Sequence, residues 1–186
     1  QGLLNYWRDS LKRSGKYENL ITIGMRGERD SSMLGDQAGI EENVNQLKDI
    51  IRKQHQLIRE NVNENLEEVP RVLALYKEVE EYFYGDDRIK GLKDWDELDG
   101  VICMLCEDNF GHMRTLPTEE MRGRKGGFGM YYHFDYHGGP ISYEWVDSTP
   151  MSKTWEQMCM AYEYGIRDAW IVNVGDLKPM EMQISY

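Results

Sequence analysis

The sequence predicts an α/β fold: a partial (β/α)8 barrel of TIM type, with about four parallel strands and flanking helices. Three observations predict it. Short segments that are apolar throughout alternate with longer segments of helical spacing, the pattern of a parallel sheet covered on both faces. Each apolar segment gives way to polar residues at its C-terminal end, where barrel enzymes build their sites. The length, 186 residues, suffices for one domain but falls short of the roughly 250 residues of a whole barrel. A doubly wound sheet is the alternative. No G-x-G-x-x-G follows any of the strands, which weakens its dinucleotide-binding form.

Leu3, Leu4, Trp7 and Leu11 recur at helical spacing, so a helix comes first. The run Leu20-Ile21-Thr22-Ile23 leads into Gly24-Met25-Arg26-Gly27 and reads as a buried strand opening into a loop. A long helix over about 41–62 carries the stripe Val44, Leu47, Ile50, Ile51, Leu57 and Ile58. Pro70, favoured in a first turn, starts a second helix that turns Val72, Leu75, Tyr76, Val79 and Phe83 inward. A linker rich in Gly and Asp spans 85–100. A strand over 101–105 ends in Cys106-Glu107-Asp108-Asn109. After a loop with Pro117 and four glycines comes the strand over 130–135, closed by Gly138-Gly139-Pro140. A helix over about 152–164 turns Trp155, Met158, Cys159 and Tyr162 inward and stops at Gly165. The last strand, 169–174, ends Asn173-Val174-Gly175-Asp176.

The chain carries 33 acidic against 22 basic residues, a net charge of −11. Most of that charge reads as solvated surface. It argues against a nucleic-acid partner, whose phosphates demand a basic patch. No run of eighteen apolar residues is present to span a membrane. The chain begins Gln1-Gly2 with no signal-peptide pattern, which implies processing or truncation. Cys103 and Cys106 have the spacing of a metal or redox pair, but they lie three apart in an apolar strand and point to opposite faces. They read as buried thiols, and no metal or cofactor is expected.

The polar strand ends supply the candidate site. Acetal cleavage uses one carboxyl to give a proton and another to activate water or attack carbon. Adjacent Glu107 and Asp108 point apart and do not pair with each other for that purpose. His133 and Asp135 share one strand face, about 7 Å apart. Toward a barrel mouth they bind hydroxyls; toward helices they need buried partners. Tyr131, Tyr132, Tyr136 and Tyr143 suit stacking on sugar rings or a core. Arg26, between glycines, forks onto a substrate carboxylate or onto a structural one. Glu156 beside Trp155 and Glu181 after Lys178-Pro179-Met180 complete the carboxylates.

Five segments resemble glycoside hydrolase family 115, in the family's order and over nearly the whole chain. They are Gly24-Met25-Arg26-Gly27, Glu107-Asp108-Asn109-Phe110-Gly111, the run from Tyr131 to Pro140, Trp155-Glu156-Gln157-Met158, and the run from Trp170 to Glu181. The resemblance implies an α-glucuronidase that removes α-1,2-linked glucuronic acid, or its 4-O-methyl form, from glucuronoxylan or aldouronic oligosaccharides with inversion. It implies that 1–186 is a central piece of a barrel catalytic domain, truncated at both ends, in a longer protein with a tendency to form homodimers. An extracellular or periplasmic location follows from that substrate. By position, Asp108, Glu156 and Glu181 are the candidate catalytic carboxylates. Arg26, Asn109, His133, Asp135, Tyr136, Asn173, Asp176 and Lys178 are the candidate substrate-binding residues, with Arg26 or Lys178 meeting the uronate. One departure stands out: the family usually has two aspartates before the asparagine, and here Glu107 takes the first place. The expected chemistry is single displacement between carboxylates about 6.5–9.5 Å apart. The rival reading is a carbohydrate-binding or inactive barrel fragment, and a third is another glycosidase specificity on the same barrel.

Overall fold

The structure, a computed structural model, describes residues 2–28, 31–35, 37–136, 147–176 and 178–185. The chain forms two compact units, Gln1–Cys103 and Met104–Tyr186. The first holds α1 (Gly2–Ser14), β1 (Ile21–Ile23), α2 (Ile40–Asn61), β2 (Arg71–Leu75), α3 (Glu78–Tyr84) and the start of β3 (Val101–Cys106). The second holds the end of β3, then β4 (Phe128–His133), α4 (Met151–Glu163), β5 (Ile166–Asn173) and α5 (Glu181–Ser185). The strands neighbour one another in chain order, β1-β2-β3-β4-β5. β1 runs parallel to β2 with Ile21 opposite Arg71. β4 runs parallel to β5 with His133 opposite Asn173, after a register shift between Phe128 and Gly129. The fold is therefore α/β, with one strand more than expected.

The extra strand corrects the reading of 70–83 as one helix. The segment Arg71-Val72-Leu73-Ala74-Leu75 is a strand, and the helix starts only at Glu78. β2 is buried along almost its whole length, so it lacks the alternation that marks a half-exposed strand. Pro70 sits just before it, and its carbonyl accepts the Ile21 N–H at 2.9 Å. Val79 and Phe83 do face inward, but from α3.

In the first unit α2 buries its predicted stripe: Val44, Leu47, Ile50, Ile51, Leu57 and Ile58 are all core residues. Two polar side chains of the same helix reach the strands. Gln54 makes a two-sided bond with Gly24 just after β1: its Oε1 accepts the Gly24 N–H at 2.7 Å and its Nε2 donates to the Gly24 carbonyl at 3.1 Å. Gly24 has φ +84°, a conformation that favours glycine, and a Cβ there would come within 2.5 Å of Leu73 Cδ1, a methyl that would have to shift.

His55, also on α2, meets the buried Arg71 guanidinium, Nη1 to Nε2 at 3.0 Å. An arginine only donates, so the imidazole nitrogen must accept and the ring must be neutral. Burial, then the charges of Arg71 and Arg59, depress the His55 pKa to about 4. The unfolded chain binds this proton near pH 6.5, so between pH 6.5 and 4 the unfolded state holds more protons and stability falls as pH falls. The loss approaches roughly 3 kcal/mol at most. His55→Gln should flatten the dependence of urea midpoint on pH over that window. A slope identical to wild type would remove His55 from the acid response.

In the second unit Leu105, Phe128, Met130, Tyr132, Ala161 and Ile166 form the core. Cys103 and Cys106 are buried in β3 as thiols, while Cys159 is exposed. The expected inward face of α4 is overturned. Thr154, Gln157 and Ala161 are the buried residues, and Trp155, Cys159 and Tyr162 are exposed. Gln157 anchors that buried face, its Oε1 accepting the Met113 N–H at 2.8 Å, while Thr154 Oγ1 satisfies itself one turn back on the Pro150 carbonyl at 3.3 Å. Among the described residues no helix is long and apolar enough to cross a membrane.

Candidate active site

The second unit gathers polar groups where its strands end. After β3 the chain makes a tight turn and comes back, with Glu107 bridged antiparallel to Met113 and the Asp108 N–H donating to the His112 carbonyl at 2.9 Å. Two residues in the left-handed region make the turn, Asn109 at φ 73° and Gly111 at φ 88°. Asparagine is among the few side chains that tolerate this region. At position 111 a Cβ would lie 2.6 Å from Thr149 Cγ2 and 3.0 Å from the Tyr132 hydroxyl oxygen.

Asp108 caps this turn from within. Its Oδ1 accepts the Phe110 N–H at 2.8 Å and the His112 N–H at 3.0 Å, and its Oδ2 lies 3.1 Å from His112 Nδ1. Burial opposes ionisation of Asp108. The N–H groups of His112 and Phe110 and the His112 ring outweigh that effect and hold the carboxyl below the usual aspartate range. At neutral pH Asp108 is therefore a carboxylate, fit to take a proton from water or to stabilise positive charge, and unfit to donate one.

Glu107 is buried instead. Its Oε2 accepts the Gly111 N–H at 2.7 Å, and its Oε1 makes a short contact with His133 Nδ1. His133, at the end of β4, is buried too. Its ring packs 4.8 Å from that of Tyr131 and 5.4 Å from that of Tyr136. Tyr136 in turn meets Phe110 edge to face at 5.8 Å, and Phe110 is exposed. From the end of β5, Asn173 Nδ2 donates to the Tyr131 hydroxyl at 3.1 Å, and its Oδ1 accepts the Gly175 N–H at 2.9 Å.

Asp135 is fully buried beside Lys178, Oδ2 to Nζ 2.7 Å, and its Oδ1 accepts the Ser148 N–H at 3.3 Å. Lys178 also lies 3.3 Å from Asp147 Oδ1. Burial works against charge on both Asp135 and Lys178. The ion pair, helped by Ser148 for the acid and Asp147 for the base, prevails: Asp135 sits below the usual carboxylate range and Lys178 above the usual lysine range. Gly175, at φ +70°, makes room for the acid, since a Cβ there would come within 2.3 Å of Asp135 Oδ2.

The predicted site residues thus divide. Asp108, Asn109, His133, Asp135, Tyr136, Asn173 and Lys178 stand at the ends of β3, β4 and β5, with Asp176 half-buried in the segment after β5. His133 and Asp135 have the buried partners expected of groups turned away from solvent. Glu156 is exposed on α4, and Glu181 is exposed as the first residue of α5. In the first unit Arg26 forks onto Glu78, Nε to Oε1 at 2.8 Å and Nη2 to Oε2 at 2.7 Å, and lies 5.4 Å over the Tyr76 ring. Tyr143 and the segment 138–140 lie outside the described residues. Among the described residues no group of three or more His, Cys, Asp or Glu side chains is placed to hold a metal ion. Phe110, His112 and Asp147 were absent from the sequence-derived set. Only Phe110 carried a signal, as an apolar residue inside a polar strand-end turn.

Carboxylates and aromatic rings thus gather at the ends of consecutive strands of an α/β sheet, the place where barrel enzymes build their sites. The family profile of glycosyl hydrolase family 115 matches residues 1–186, and the chain belongs to that family. It is similar to a solved structure described as "A novel family GH115 4-O-Methyl-alpha-glucuronidase, BtGH115A, with specificity for decorated arabinogalactans", with 39% identity and a TM-score of 0.83. That match covers 98% of this chain and 23% of the other, so the chain spans under a quarter of that protein's length. No curated protein matches.

Proposed function

We propose that this chain is part of the catalytic barrel of an α-glucuronidase that releases α-1,2-linked glucuronic acid, or its 4-O-methyl form, from glucuronoxylan or aldouronic oligosaccharides with inversion. The observation that carries the reading is Asp108: an ionised, half-exposed carboxylate fixed by two backbone N–H groups at a strand end. The description of the similar solved structure as a 4-O-methyl-α-glucuronidase supports the sugar. In this reading Asp108 takes the proton of the attacking water, and Glu156 or Glu181 gives a proton to the leaving oxygen. The two must stand about 6.5–9.5 Å apart in the working enzyme. Tyr136 stacks on a sugar ring, while Asn109, Asn173 and Asp176 bind hydroxyls. Arg26 and Lys178 already answer carboxylates, so a uronate at either would share or replace one acid partner. A substrate of this kind places the protein outside the cytoplasm, in the extracellular space or periplasm, and a homodimer is the proposed assembly.

Proton NMR tests this directly. The full-length protein containing the chain is incubated with glucuronoxylan and, separately, with a glucuronate-decorated arabinogalactan. The expected result is free uronic acid appearing first as the β-anomer. Early α-anomer would replace inversion with retention. Release from arabinogalactan alone would keep the sugar and change the polymer. No release from either would leave a binding module.

A further inference from the structure

Glu107 and His133 are buried titratable groups at the strand ends that the proposed reaction does not use. Together they occupy the interior of the turn that presents Asp108. The Glu107 carboxylate faces His133 Nδ1 on one side and takes the Gly111 N–H at 2.7 Å on the other. Gly111 is also held by its carbonyl, which accepts the buried Tyr132 hydroxyl at 3.0 Å. Gly111 lies between Phe110 and His112, whose N–H groups are the two that fix Asp108 Oδ1. The two donors to Asp108 Oδ1 thus belong to the Asn109–Phe110 and Gly111–His112 peptides, and the peptide between them carries the Gly111 N–H that Glu107 accepts. Glu107 anchors that central peptide and through it the two on either side.

We propose that Glu107 and His133 are positioning residues for the hydrolysis: His133 locks the buried Glu107 carboxylate, which pins the Gly111 amide and so aims the backbone N–H groups that hold Asp108. This inference rests on the reading of Asp108 as the base. The one Glu107 carboxylate reaches from the end of β3 to the His133 ring and to the turn at once. His133 then belongs beneath the site, touching no sugar. Its ring couples this anchor to Tyr131 and Tyr136, so the aromatic rim and the carboxylate are held by one buried pair. A carboxylate held by preoriented N–H donors need not reorganise as charge develops.

The test uses the full-length protein and the variant Glu107→Gln, which keeps shape and one acceptor but turns an N–H2 toward His133. The expected result is a kcat lower by roughly 10- to 100-fold, because small displacements of a catalytic group cost about that much, with KM within about twofold of wild type. The acid limb of kcat/KM should move up by roughly one pH unit as Asp108 loses its N–H donors. The ionisable group in contact with Asp108 that bears on this limb is the His112 ring; the Tyr132 hydroxyl feels the charges of both Glu107 and Asp108, and Lys153 Nζ lies on the Phe110 carbonyl at 3.3 Å. A lower yield of folded protein alone would reduce the apparent rate and leave the limb in place. Tyr132→Phe, which removes one hydroxyl from the opposite side of Gly111, should shift the limb the same way by less, and it decides the matter if Glu107→Gln fails to fold. Hydrogen exchange of the peptide covering 107–113 gives a readout free of activity, so the failure of this inference and that of the proposed function are distinguishable. Faster exchange in Glu107→Gln supports the anchor even in a protein that releases no uronate. Unchanged exchange together with an unmoved acid limb overturns it.

Discussion

Asp108→Asn lowers kcat by roughly 10²- to 10⁴-fold, the range a positioned acid or base supplies, and leaves the turn standing. Asparagine keeps an oxygen at Oδ1 to accept the N–H groups of Phe110 and His112, so the two bonds of 2.8 and 3.0 Å survive. What disappears is the basicity. The melting temperature should move by only about 2–4 °C, since the change removes charge from hydrogen bonds worth about 1 kcal/mol. In the proposed mechanism Asp108 acts ionised, and its carboxyl lies below the usual aspartate range. The rate therefore holds as pH falls toward about 4 and is lost only below that. Initial rates of uronate release from glucuronoxylan, measured for both proteins, check this. A variant that keeps more than a tenth of the wild-type kcat takes Asp108 out of the mechanism.

Lys178→Met has its largest effect on stability. Lys178 and Asp135 have side chains 1% and 0% exposed, and Asp147 is 16% exposed. Methionine matches the stem but removes the cation that lies between Asp135 and Asp147. Removing one partner of a buried pair costs about 3–5 kcal/mol, because the charge left behind has no compensation. For a domain of this size that lowers the melting temperature by roughly 6–20 °C. The sign of the pH response follows from Asp135. Its folded pKa is depressed, so the stability it contributes is present above the unfolded value near 3.9 and is lost as pH falls through the folded value. In the variant the acids prefer to be protonated, so its stability deficit should shrink as pH is lowered from 7 to 4. Calorimetry across that range decides it. A deficit that stays constant with pH would mean that packing, not charge, holds the site together.

The parts of the fold legible in the sequence are those where one face is wet. The stripe of α2 has polar residues between its apolar ones, and the periodicity names the buried face correctly. β2 was illegible because it is buried on both faces: Val72, Leu75, Val79 and Phe83 recur at helical intervals although they straddle a strand, a break and a helix. α4 misled for the opposite reason. Its large apolar residues form the exposed face, and its buried face is written in Thr154, Gln157 and Ala161, which hydropathy does not flag. At the site, strand-end polarity located Asp108, His133, Asp135 and Asn173. It was silent on which would be paired off, since the partners Glu107, Lys178 and Asp147 are brought in by the sheet and the segments around it. Arg26 shows the same limit: a fork between glycines is visible in sequence, but its occupant, Glu78, lies 52 residues away.

The bond between Gln54 and Gly24 carries a consequence for how this sheet end can vary. A primary amide presents one acceptor and one donor in the plane a peptide group would use, so the Gln54 side chain acts as a one-residue surrogate strand. Isosteric replacement has no neutral outcome: glutamate lacks the donor, leucine lacks both groups, and asparagine is one methylene too short. The surrogate also fixes the phase of α2 against β1, because a helix slipped by one residue would turn the amide by about 100° and release both bonds at once. Insertions between residues 24 and 54 are thus tolerated in the intervening loop but not within the helix before position 54, and that asymmetry should be visible in the lengths of related chains.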